Sequence, residues 1–89
     1  MNVDRQGVER DVNMEELPTL MKVRQAHDLT SRQLADAAGV PLRVEYVAEI
    51  GGLVEEVDAG LLLEAVSNLT GKHYTLKNVQ MNIKGRQLV

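Results

Sequence analysis

The sequence predicts an all-α fold, a compact bundle of about five short helices, and three observations carry that expectation. Apolar residues recur at three- and four-residue steps in successive segments. Most segments open on a residue suited to cap a helix or close on a glycine. Phe and Trp are absent and aromatics make up 2% of the chain. The core must then come from Leu, Val, Ile, Met and Ala, a set that suits small helices packed closely.

Residues 1–13 are polar and aperiodic and read as a flexible N-terminal arm, residues 14–84 as the folded domain, and residues 85–89 as a C-terminal tail. In the first helix Leu17, Leu20, Met21, Val23 and Ala26 recur at helical spacing, to about His27. Glu15 and Glu16 suit a first turn, where the helix dipole favours anions, and Pro18 is tolerated only near a start. The helix is therefore expected to begin between Glu15 and Pro18. The second opens at Thr30, with Gln33 at the capping-box spacing, shows Leu34, Ala35 and Ala38 on one face, and closes at Gly39.

Pro41 is expected at the first position of the third helix, where its missing N–H costs nothing; that helix reaches Glu49 or Ile50 before Gly51-Gly52. The fourth takes Asp58 as its N-cap, with Glu55 and Glu56 in the same acidic helix-start cluster. It carries Leu62, Ala65, Val66 and Leu69 on one face and stops at Gly71. From Thr75, the spacing of Leu76, Val79 and Ile83 predicts a fifth helix. Partial alternation in "HYTLKNVQMNI" makes a β-strand the alternative.

Composition excludes several classes of function. Eighty-nine residues make one domain, short enough that dimer formation is expected to add to its stability. The chain has no Cys and only two His, far apart, so no metal site or cofactor is expected. No nucleophile, base and orienting group stand in a catalytic arrangement, so it is not expected to be an enzyme. No apolar run of about 18 residues occurs and the first residues lack a hydrophobic signal core, which predicts a cytoplasmic protein without a membrane span. The net charge is −3, unevenly spread. Six acids and no base lie from Glu45 to Glu64, and four bases and no acid from Lys72 onward. That balance counts against strong phosphate binding without excluding it.

Leu29-Thr30, Leu34-Ala35, Gly39-Val40, Glu49 and Gly51, with Arg24 six residues before Thr30, fall at the spacings of a known pattern. On these residues the chain, from about 17 to 80, resembles the lambda-repressor/Cro type of helix-turn-helix domain, the Xre-like family. The resemblance implies a central helix-turn-helix and a structural ion pair between Arg24 and Glu49. It also implies a sequence-specific regulator that binds double-stranded DNA as a homodimer, with helix 41–50 in the major groove. Ser31, Arg32 and Gln33 would then approach the phosphate backbone, and Leu42, Arg43, Tyr46 and Val47 the base edges.

The third helix departs from that pattern. The family places aliphatic residues at positions 45 and 48, facing the core, where this chain has Glu45 and Ala48. Either the helix is rotated, or Val47 is drawn inward and Glu45 pushed to the rim. The surface left by such a change, with Leu42, Val47 and Ile50, is apolar. It suits the alternative of a protein–protein interaction module built on the same scaffold. If Leu76, Val79 and Ile83 form an exposed stripe, they are the expected dimer interface.

Overall fold

The structure, a computed structural model, describes residues 17–85. The expected arm of residues 1–13, the helix-start acids Glu15 and Glu16, and the tail beyond Gly85 lie outside the described residues. Within them run four helices and two short strands: α1 Leu20–Ala26, α2 Ser31–Ala38, α3 Leu42–Glu49, β1 Leu53–Val54, α4 Glu56–Thr70 and β2 Asn82–Ile83.

The local signals at α2 act as their chemistry suggests. Thr30 Oγ1 accepts from the N–H of Gln33 while the Gln33 side chain accepts from the N–H of Thr30, at 3.0 and 2.7 Å. Gly39 ends the helix with φ of 74°, a left-handed conformation that a residue bearing a Cβ adopts only at a cost. Gly71 closes α4 in the same manner.

Three starts differ from expectation. α1 begins at Leu20, because Thr19, in extended backbone, caps it by accepting from the N–H of Lys22. Pro41 is the N-cap of α3, with ψ of 148°, and not its first helical residue. Glu55 holds the N-cap position of α4, which leaves Asp58 in the first turn among acids facing the positive end of the helix dipole.

The expected fifth helix is absent among the described residues. From Thr75 the chain makes one turn, in which the Asn78 side chain accepts from the Thr75 N–H and donates to the His73 carbonyl. These local side-chain bonds compete with helix propagation. The next backbone groups are claimed by distant partners. Gln80 donates to the Pro18 carbonyl, and β2 pairs in parallel with β1, Leu53 opposite Asn82 and Val54 opposite Ile83. The strand alternative thus describes the last few residues of this segment.

The core forms where α2 packs on α4 and α3. Leu20, Leu34, Leu62, Val66 and Val79 are its largest fully buried apolar side chains, and Ala35, Ala38, Ala48, Ala59 and Ala65 are buried beside them. Leu69, expected on the buried face of α4, is exposed at its far end. No described helix is long and apolar enough to cross a membrane.

Candidate nucleic-acid interface and the carboxyl group beneath it

The α2–α3 pair carries all the residues expected to meet DNA, and the fold sorts them by exposure. At the start of α2, Arg32 and Gln33 are exposed, but Gln33 spends its carbonyl oxygen in the capping box. Ser31 is half-buried and turned inward, its hydroxyl donating to Glu49 Oε2 at 3.0 Å. On α3, Arg43 is exposed and Tyr46 is 51% exposed. Leu42 and Val47 are half-buried and packed against the core, so they offer only an edge to a partner. Val47 also lies under the turn after α3. A methyl group added at Gly52 would stand 2.7 Å from Val47 Cγ1, so only glycine fits there. Arg43, Val44, Val47, Leu53 and Lys84 border a cleft of about 150 Å³ beside the helix.

The acids of α3 face the other way. Glu45 is fully buried and Glu49 is 5% exposed, and with Ala48 they form the inward face of the helix. This corrects both expectations for position 45. The helix is not rotated away from the core, nor is Glu45 pushed to the rim. A carboxyl group is packed on the buried face of the helix.

An ion pair between α1 and α3 surrounds it. Arg24 donates from Nε to Glu49 Oε2 at 2.7 Å and from Nη2 to Oε1 at 3.0 Å. Its Nη1 donates to the Leu29 carbonyl at 2.9 Å, so one guanidinium ties the loop before α2 to both helices. Burial would raise the Glu49 pKa, but hydrogen bonds with Glu45, Arg24 and Ser31 outweigh it and hold the group below the ordinary carboxylate range. Glu45 goes the opposite way. Neither of its oxygens finds a partner among ordinary donors. Burial first, then the neighbouring Glu49 carboxylate, push its pKa from 4.5 to about 8, against the smaller pull of Ser31 and Arg24. Near neutrality Glu45 therefore keeps its proton, and its O–H can donate to Glu49.

The expected dimer stripe is not a surface. Val79 and Ile83 are buried in the chain's own core and Leu76 is half-buried against it. The same segment is pinned to the end of α1, where His27 Nε2 and the Tyr74 hydroxyl lie 2.9 Å apart with their rings edge to face. Among the described residues no three His, Asp or Glu side chains cluster as metal ligands.

Sequence reasoning missed that Glu45 is buried and that Ser31 serves the ion pair. The signal for the first was in hand: a carboxyl group at a position patterned for a core residue, one helical turn before the acid of the ion pair. Compared with protein-family models, curated proteins and solved structures, the chain matches none.

Proposed function

We propose that α2 and α3 form a helix-turn-helix that binds double-stranded DNA, with α3 as the reading helix. The observation that supports this most is the orientation of the α3 charges. Both acids of the helix, Glu45 and Glu49, are buried, so the charged group left on its exposed face is Arg43. Arg32, exposed at the start of α2, adds a second cation on the same helix pair. In this reading Arg43 pairs with a guanine edge, Tyr46 reaches a phosphate or a base, and Arg32 neutralises backbone charge. Ser31 is assigned to the ion pair and not to phosphate. A symmetric operator would require a second copy docked through a surface other than Leu76, Val79 and Ile83.

Fluorescence titration against genomic fragments at about 50 and 200 mM salt tests the proposal. With one cation on the phosphate backbone the logarithmic salt slope per protomer should be shallow, about −1, and Arg32→Ala should nearly abolish it. Arg43→Ala should cost about 1–3 kcal/mol on the preferred sequence and relax its selection. No binding at the lower salt would sink the reading.

Tyr46 at 51%, Ile50 at 76% and Leu53 at 50% exposure favour a second reading, a protein-interaction module on the same scaffold. It predicts no salt-dependent DNA binding at all.

A further inference from the structure

Three helices converge on Glu45, and its surroundings are those of a working part. The side chain is fully buried and both oxygens lack an ordinary donor, a state that is costly for a carboxylate and tolerable for a carboxylic acid. The groups acting on it are Glu49 from its own helix, Arg24 from α1, and the Ser31 hydroxyl from α2. One guanidinium thus serves two carboxyl groups. Its three nitrogens each donate, two to Glu49 and one to the Leu29 carbonyl.

We propose that Glu45 is a protonation switch that sets how firmly α3 is held to α1 and α2. In the protonated form the site holds one carboxylate and one cation, and the Glu45 O–H donates to Glu49. When the proton leaves to solvent, two carboxylates face a single guanidinium, one of them on a fully buried side chain. Their repulsion acts on the ion pair that fastens the end of α3, and it is relieved only if Glu45 swings outward or α3 lifts. The brace is tight in the acidic to neutral range and slackens as the pH rises toward and beyond about 8. Nothing in this depends on what α3 binds, because the readout is the attachment of the helix itself.

The sign follows from proton linkage. Between pH 4.5 and about 8 the unfolded chain has lost the Glu45 proton while the folded chain retains it. The folded state then binds one more proton, and stability falls as pH rises across that window. A full proton of difference changes the folding equilibrium constant tenfold per pH unit. The comparison must be with a variant that differs only at position 45. Glu45→Gln keeps the shape and a donor toward Glu49 and cannot ionise.

The experiment is denaturant unfolding of the full chain and of Glu45→Gln at each pH from 5 to 9. It is paired with ¹³C NMR titration of the glutamate carboxyl groups and hydrogen exchange of the α3 amides in the unaltered protein. The proposal expects one glutamate to titrate near pH 8. It expects the ratio of the two proteins' folding constants to move in favour of Glu45→Gln by up to tenfold per unit between pH 5 and 8. Protection of the α3 amides, corrected for intrinsic exchange, should fall in step. Parallel stability profiles, no glutamate titrating above about pH 6, or α3 protection that ignores the titration would each overturn it. If Glu45→Gln does not fold, the carboxyl titration and the exchange data decide alone.

Discussion

Arg24 donates to Glu49 from two nitrogens and to the Leu29 carbonyl from a third, while its own side chain is 17% exposed and that of Glu49 only 4%. A pair this sheltered matters chiefly through what its loss leaves behind. Removing the cation strands an ionised Glu49 next to a carboxyl group whose own oxygens accept from no donor. Arg24→Met should therefore cost about 3 kcal/mol in urea denaturation, far above the 0–1 kcal/mol of an exposed pair. The exposed contact between Lys84 and Glu55, at 3.5 Å, offers the control. Lys84→Ala should change stability by less than about 0.5 kcal/mol. A loss for Arg24→Met no greater than for Lys84→Ala would remove the brace from the account. The pairing of Arg24 with Glu49 was expected from a resemblance, and the two side chains do meet. Glu45 could not be read so simply, since a carboxyl group in an aliphatic position can turn outward or stay, and only its neighbours settle which.

At the scale of elements, the segment from Thr75 to Ile83 carries the clearest revision. Its apolar residues fit a helix, yet the chain makes one turn and then joins β1 through β2. The helical stripe was expected to serve a second copy of the chain. Val79 and Ile83 instead close this chain's own core. Val79→Asp consequently places an unpaired charge in that core, and the expected outcome is an unfolded protein, not a folded monomer. Circular dichroism with sedimentation distinguishes the two. A folded species of monomer mass, obtained from a dimeric parent, would restore the interface role. α2 behaves differently. Its cap, its face and its stop depend on residues within ten positions of one another, so its limits were legible in advance.

Over the whole molecule the two buried glutamates act in opposite directions. Glu49 lies below the usual range, so its contribution is complete above the ordinary value of 4.5 and is lost as pH falls through its folded value. Glu45 lies above it, so its contribution is complete below 4.5 and is lost as pH rises to about 8. The two limbs meet near pH 4.5. The thermal midpoint should be highest at about that pH and fall on both sides, and Glu49→Gln should blunt the acid limb. A maximum between pH 7 and 8 would contradict the assignment of Glu45. Chain-wide charge says less about a partner than its placement does. The net charge of −3 counts two α3 acids that never reach the exposed face of the helix, one of them protonated near neutrality.

The helical character of the chain, the capping box at Thr30 and the left-handed stops at Gly39 and Gly71 were all written in short-range patterns, whereas the partnership of Arg24 with Glu49 was expected only from a resemblance. Each of the short-range signals rests on residues a turn or two apart. The burial of Glu45, the inward commitment of Ser31 and the path of residues 75–83 depended on contacts across the fold. Gln80 meets Pro18, Tyr74 meets His27 and β2 meets β1 only after the chain has closed on itself. A local pattern specifies what a segment is able to form, but which of its faces is buried, and whether a buried proton stays, depends on the groups that distant segments bring to it.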